Sequence, residues 1–540
     1  MSNTYGKHFN TKNTRQDTQI PGKDQVKNSD GCYVFGIDKW TQLDRFLILG
    51  TEGGSYYAKE RELTVENAQS VLSCIQEDGV KVVKRVVEIS NSGRAPKNDP
   101  AIFALAMAAK MGNIDTRREA YAALPSVCRI PTHLFHFAEY CEGFGGWGRG
   151  MRRAVSKWYT DRPSDKLAYH LVKYQGRDGW TNRDLLRLSH AKHTTPLQNT
   201  FFKWVTSGEL TKHSASQLAT SKDIKGYFLI EAFEMAKRAT VPREIVTLIK
   251  EFGLPHEAIP TQFKTDIAVQ EALFEKMPLG AMIRNLGNLS KCGLLTPMSD
   301  ASVEVVKRLS NAEALKEARI HPLQVLVALN TYSLGRGIRG SGTWEVVQQV
   351  VDGLDAAFYK SFGNVEPSNK RTMLALDTSG SMTIGQCGGM TGISPRVGAA
   401  AMALITANVE QRHLFINFSV KASELSISPR QRLTDVTEHM RKVAAMGTNC
   451  SAPIEVALER GYEVDTFVIY TDSETNIRGS RQPVAALRDY RQRTGINAKL
   501  VVVGMVSNGF SIADPSDEGM LDVVGFDTAA PGVISSFSRE

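Results

Sequence analysis

The chain has 540 residues, 42% hydrophobic and 23% charged, with 65 Lys and Arg against 57 Asp and Glu. That length exceeds one ordinary core and that composition excludes bulk disorder, while the want of a long uncharged apolar run and the polar start MSNTYGKHFNTKNTRQ exclude a membrane span and a secretory leader, so a cytoplasmic protein of two or more domains is expected. From Arg371 onward 16 basic residues face 18 acidic ones, leaving 49 against 39 before it, so the basic excess lies wholly in the first two thirds, where a polyanion such as nucleic acid is a plausible partner.

Residues 1–30 are polar and aperiodic and read as a mobile tail. Residues 31–369 read as a helical body. Ala101 to Met111, Met151 to Tyr159, Lys166 to Tyr174, Asp184 to His190 and His321 to Leu329 repeat apolar residues at three- and four-residue spacing, with short turn signals between segments. Successive amphipathic helices without strand-like alternation predict an α-solenoid of HEAT type with degenerate repeats. The seven cysteines are scattered and never spaced as CxxC, so neither a disulfide framework nor a structural zinc site is expected, and reduced, mostly buried thiols are.

The pattern changes after Pro367. Residues 370–540 alternate a strand at Met373 to Leu376, a helix at Val397 to Val409, a strand at Leu414 to Phe418, helices near Leu433 to Ala444 and Ile454 to Arg460, a strand at Phe467 to Tyr470, a helix near Val484 to Gln492 and a strand at Ala498 to Val503. Such alternation predicts a doubly wound α/β domain with a parallel sheet, whose ligand site lies at the carboxyl ends of the strands.

Those strand ends carry hard oxygen ligands. The first gives Asp377-Thr378-Ser379-Gly380-Ser381, a carboxylate and two hydroxyls at alternate positions; Thr448 stands in a later loop, and Asp472 ends the strand FVIYT. Two carboxylates and three hydroxyls suit Mg²⁺ or Mn²⁺. A lone Asp or Ser at a strand-to-helix turn is ordinarily an N-cap, which accounts for one such loop and poorly for three in order. The set resembles the metal-ion-dependent adhesion site of von Willebrand factor A domains. The resemblance implies that Ser379 and Ser381 ligate directly, that Asp377, Thr448 and Asp472 act directly or through water, and that a partner's carboxylate can take the open position.

A strand ending in Asp also opens haloacid-dehalogenase phosphatases, but their second Asp is replaced here by Ser379, so the acid/base partner of an aspartyl nucleophile is missing. No Walker A, HExxH or GxSxG sequence occurs. The expectation is a protein that is not an enzyme.

In the body, Cys128 to Lys192 is the richest stretch: CRIPTHLF, WGRGMRRAVSKWY and KYQGRDGWTNRDLLRLSHAK interleave Arg, Lys and His with Trp and Tyr, as phosphate contacts and base stacking require. Trp158 and Trp180 read as packing residues, and either His133 or His190 alone would read as structural. These segments, with RFLILGTEGGSYY (Arg45 to Tyr57), RIHPLQVLVAL (Arg319 to Leu329), LDAAFYKSF (Leu354 to Phe362) and SNGFSIADPSDEGMLDVVGFDT (Ser507 to Thr528), resemble the Ro ribonucleoprotein family from about Tyr33 to the C-terminus.

The resemblance implies a TROVE module, a closed ring of HEAT-like helices, joined to the A-type domain. It further implies Y RNA on the ring's basic outer surface and single-stranded 3′ ends of misfolded or immature RNA in the central hole, with Arg129, Thr132, His133, Lys173, Arg177 and His190 as RNA contacts. The glycine-rich insert Gly385 to Gly392 resembles bacterial members, whose Y RNA tethers the exoribonuclease polynucleotide phosphorylase. A ring closed within one chain predicts a monomer. The competing expectation is a metal-dependent protein-adhesion module with the helical body as a spacer, and a third is a metal-dependent phosphohydrolase or nuclease.

Overall fold

The computed structural model describes residues 13–50, 68–212, 224–337, 342–362, 365–387, 392–442 and 447–540. Part of the Arg45 to Tyr57 motif, part of the Gly385 to Gly392 insert and the first twelve residues of the expected tail lie outside them.

The body is built from helices α1 (Lys39–Leu49), α2 (Gln69–Ser92), α3 (Asp99–Met111), α4 (Ile114–Val127), α5 (Pro131–Gly143), α6 (Arg149–Thr160), α7 (Ser164–Lys173), α8 (Asn182–Ser189), α9 (Pro196–Ser207), α10 (Ile224–Ala236), α11 (Pro242–Phe252), α12 (Ile267–Glu275), α13 (Leu279–Lys291), α14 (Asp300–Leu309), α15 (Ala312–Glu317), α16 (Pro322–Ser333) and α17 (Gln348–Lys360). Each packs on helices a few places along the chain, as α2 does on α3 and α4 and α3 on α5, which is the arrangement of a repeat body. Helix α3 is the clearest case: every residue from Pro100 to Ala109 is buried, because its sequence is apolar on all faces. Helix α2 kinks at Asp78, whose φ of −149° breaks the helix while its carboxylate accepts from the Lys81 amide and caps the second half.

The helices close on themselves. Arg319 Nε, just after α15, donates to the Asn91 carbonyl at the end of α2 (3.0 Å), and Gln324 of α16 donates to the Pro96 carbonyl before α3 (2.9 Å). A seam between residues 91–96 and 319–324 thus turns the solenoid into a ring.

The C-terminal domain has the expected doubly wound form. Its strands β5 (Thr372–Asp377), β6 (His413–Phe418), β7 (Ala422–Glu424), β8 (Thr466–Thr471), β9 (Lys499–Gly504) and β11 (Met520–Val524) form one sheet in the order β11-β9-β8-β5-β6-β7, parallel except for the antiparallel edge β7. Helices α18 (Pro395–Val409), α19 (Leu433–Arg441), α20 (Ala452–Arg460), α21 (Pro483–Thr494) and α22 (Ala530–Arg539) accompany it. The central strands β5 and β8 are buried at every position, so they read as continuous apolar runs rather than alternating ones. All seven cysteines are free thiols, six of them buried. No described helix is long and apolar enough to cross a membrane.

One expectation is corrected. The described part of the tail is not loose: β1 (Val26–Lys27) pairs with β2 (Tyr33–Gly36), and β2 pairs with β10 (Phe510–Ser511) of the A-type domain. Polar residues can be held there because their partners are built in. Gln16 donates to Asn449 Oδ1 at 2.9 Å, Asn28 donates to the Thr475 carbonyl at 2.7 Å, and both side chains are buried. Residues 13–36 therefore pack on the C-terminal domain. Within the helical body, β3 (Gly176–Arg177) and β4 (Trp180–Thr181) make a small hairpin between α7 and α8.

Candidate nucleic-acid interface and metal centre

Beside the seam lies an open cavity of about 620 Å³, lined by the ends of α2, α5, α7, α13 and α15. Five cations line it, Lys97, Arg129, Lys173, Arg284 and Arg319, and no Asp or Glu does. Burial, and after it the charge of Arg319, hold the Arg129 guanidinium below its usual pKa. Crowded like charges repel one another in the free protein, a repulsion eased at Lys173 by Glu257 at 3.8 Å, and an anion entering among them relieves it further. Tyr169 and Tyr174 share the wall, within 5.5 and 5.6 Å of Lys173 Nζ. The cavity thus offers phosphates and unpaired bases what each needs.

The six RNA-contact candidates divide. Arg129, His133 and Lys173 line the cavity, and Thr132, half-buried at the start of α5, is not in its wall. His133 is neutral there, its pKa pushed down to about 4 first by burial and then by Arg129, so it can meet a base or a hydroxyl but brings no charge to a phosphate. Arg177 sits at the exposed hairpin, 3.7 Å from Asp178. His190 ends α8 in the left-handed conformation (φ 51°), its amide bonded to Arg187 and Leu186 carbonyls and its ring exposed.

Arg177 and His190 are exposed instead, outside the cavity wall. Helix α6 packs on α8; Arg149, Arg153 and Lys157 are exposed at four-residue spacing along the first, and Arg183 and Arg187 likewise along the second. Trp158 is core, as expected, with Arg162 3.7 Å over its ring. Trp180 packs beside Trp147 (5.9 Å between centroids) and donates to Glu139.

Lys97, Arg284 and Arg319 were not foreseen. They lie far from one another and from Arg129 in the chain, and only closure of the ring gathers them. Arg319 stands in a quoted motif, RIHPLQVLVAL, yet nothing local marks it as facing a hole.

In the A-type domain, β5 and β8 are parallel neighbours, with Leu376 opposite Tyr470, so Asp377 and Asp472 emerge side by side at their carboxyl ends. Both are fully buried, as are Ser379 and Thr448. Asp377 accepts from the Ser379 amide (2.9 Å) and from the Thr471 hydroxyl (2.6 Å). Ser379 and Ser381 hydroxyls are 3.0 Å apart. Thr448 is tied to the loop after Asp472: its amide donates to Asn476 Oδ1 (2.7 Å) and its carbonyl accepts from Asn476 N (2.9 Å).

Burial, and then the charge of Asp472, push Asp377 well above the ordinary carboxylate range; burial raises Asp472 as well. Among the described residues no ion pair reaches either carboxylate, and Arg396, which feels the Asp377 charge, donates to the carbonyls of Thr378 and Ser379. Two buried carboxylates with hydroxyls between them and no salt-bridged cation fit a hard divalent ion. No cluster of three or more His, Cys, Asp or Glu with ligating geometry occurs among the described residues, so the hydroxyls are needed to complete this ligand set. Glu474 joins the same loop, its amide bonded to Asp472 and its carboxylate held by Ser29.

Residues 26–333 match the family description "TROVE domain" and residues 371–538 match "Ro60 vWA domain". The chain is 40% identical over 527 residues to the RNA-binding protein RO60 of Deinococcus radiodurans, covering 97% of each, and 36% identical to that of Caenorhabditis elegans, covering 95% of this chain and 90% of the relative. It is similar to the crystal structure of the Deinococcus radiodurans RO (RSR) protein, at 41% identity and a TM-score of 0.70, over 93% of this chain and 99% of that one.

Proposed function

The chain belongs to the Ro family, and from that premise we propose that it binds RNA on two surfaces, single-stranded 3′ ends in the ring cavity and a structured Y RNA on the α6–α8 face. The carrying observation is the cavity wall, with five cations, two tyrosines and no carboxylate. A closed ring admits a threaded strand and excludes a duplex, which suits selection of misfolded or immature RNA with unpaired ends. The protein acts as a scaffold in RNA quality control, decay or maturation, as a cytoplasmic monomer without catalysis of its own, and the Y RNA can tether an exoribonuclease such as polynucleotide phosphorylase.

Cross-linking in the native cell tests this. One abundant small structured RNA should be recovered on residues 149–157 and 177–190, and heterogeneous 3′ ends should be recovered on residues 97–133, 169–174 and 284–319. Random trace RNA would sink the proposal. End-labelled RNA incubated with pure protein and Mg²⁺ should stay intact, since shortening would favour a nuclease.

The A-type domain holds Mg²⁺ or Mn²⁺ on Asp377, Ser379, Ser381, Thr448 and Asp472, leaving a position for a partner's carboxylate. Metal binding requires ionised carboxylates. Because the folded-state pKa of Asp377 is raised, the metal-free protein is penalised as pH rises from the ordinary carboxylate range through the raised value, and below that window the proton removes the penalty. Free Mg²⁺ at about 100 times its Kd should add about 2.7 kcal/mol of stability. The gain in melting temperature should be larger at pH 8 than at pH 5.5 and absent in Asp377→Asn. A gain independent of pH and of Asp377 would place the ion elsewhere.

A further inference from the structure

Beside the ring cavity lies a second pocket of about 450 Å³, enclosed by α7, α11, α12, α13 and the turn His256–Ala258. It shares Tyr169, Lys173, Pro278, Ala281 and Arg284 with the central cavity, so the two adjoin at those side chains. Its inner walls are apolar, formed by Ile249, Leu254, Leu273 and Met277. Beside the shared Tyr169, Lys173 and Arg284, its polar groups are His256, Glu257, Lys276 and Asn285.

The arrangement is graded. Lys173 and Arg284 stand at the shared mouth, Tyr169 stands beside them, and the apolar floor lies behind. A volume in the range of roughly 300–1,000 Å³ with apolar walls and a few fixed polar groups is that of a small-ligand site. A purely structural gap between repeat helices would not need two cations at its opening. A strand whose phosphates follow the central cations must turn its bases outward, and an unpaired base loses least where an aromatic face and apolar walls replace its stacked neighbours. His256, with burial lowering its pKa, presents one donor and one acceptor to a base edge, and the Glu257 carboxylate, 3.8 Å from Lys173 Nζ, presents acceptors.

We propose that this side pocket receives one nucleobase flipped out of a single-stranded RNA in the ring, with the flanking phosphates on Lys173 and Arg284 and the base against Tyr169. The inference rests on the RNA reading of the cavity and adds to it a base-reading position.

Fluorescence anisotropy with a short single-stranded RNA carrying one abasic ribose, moved a nucleotide at a time, tests it. With the wild-type protein one position should cost about tenfold in affinity and the others little. Asn285→Trp, which fills the pocket from α13, should weaken the intact strand by about tenfold and flatten the profile. His256→Ala should lower the peak without moving the melting temperature, and it decides the matter should the tryptophan variant not fold. A flat wild-type profile with tight binding of the intact strand would overturn the pocket and leave the RNA reading standing. No binding of the intact strand would overturn both.

Discussion

Replacing Lys97, Lys173 and Arg284 together by glutamate is expected to weaken binding of a single-stranded RNA end by about a hundredfold or more. Each substitution removes a charge-assisted contact worth roughly 1.5–3 kcal/mol and adds a repelling charge. These three are chosen from the five cavity cations because the other two also hold the ring: Arg129 Nη1 donates to Ser90 and to the Ser126 carbonyl (both 2.9 Å), and Arg319 spans the seam to Asn91. Salt dependence gives an independent readout. Five neutralised phosphates on a single strand give a slope of log K against log salt of about −3.5, and two give about −1.4. A structured RNA bound by the α6–α8 face should be indifferent to the triple substitution and sensitive to Arg149→Glu with Arg153→Glu. If single-stranded affinity and slope both stay unchanged in the triple variant, with its melting temperature intact, the cavity is not where RNA ends bind.

The reach of the sequence follows from the range of the interactions involved. Local signals carried the helices of the body, because periodicity is set within one or two turns; Met151 to Tyr159 is legible for that reason and its helix runs only slightly longer, Arg149–Thr160. The metal loop was legible because Asp377, Ser379 and Ser381 lie within five residues, and a strand end dictates where they point. What escaped depends on closure or on satisfaction at a distance. Lys97, Arg284 and Arg319 meet only because residues 91–96 join residues 319–324. Residues 13–36 look like solvent-exposed chain because Gln16, Gln25 and Asn28 are polar, yet all three are buried against hydrogen-bond partners more than 400 positions away. Charge itself can mislead: His133 was chosen among basic residues, and burial makes it neutral. The short edge strand β7 carries too few residues for a pattern to stand out.

The second large effect is expected at the joint between ring and A-type domain. Arg45 of α1 is wholly buried, and its guanidinium crosses the joint: Nη2 meets both Asp522 oxygens on β11 at 2.6 and 2.7 Å, and Nη1 donates to the Asn508 carbonyl and side-chain oxygens at 2.8 and 2.7 Å. Arg45→Met keeps the volume and removes the charge, stranding a nearly buried carboxylate and three acceptors, the Asn508 carbonyl and side-chain oxygens and the Phe510 carbonyl. Breaking such a pair costs about 3–5 kcal/mol, far beyond a surface ion pair, and should appear as a lower melting temperature or as separate unfolding of ring and A-type domain. Replacing both partners, Arg45→Met with Asp522→Leu, should recover much of the loss, because the cost comes from the unpaired charge rather than from the missing attraction. Asn508 extends the effect to the metal centre, since its side-chain amide holds the Asp472 carbonyl at 2.6 Å. Divalent-ion affinity, read by calorimetry at a temperature where the Arg45→Met variant is still folded, should fall along with stability. A variant that loses stability and keeps wild-type metal affinity would confine Arg45 to holding the domains together; one that loses both makes the buried guanidinium the physical link between the ring and the metal loop.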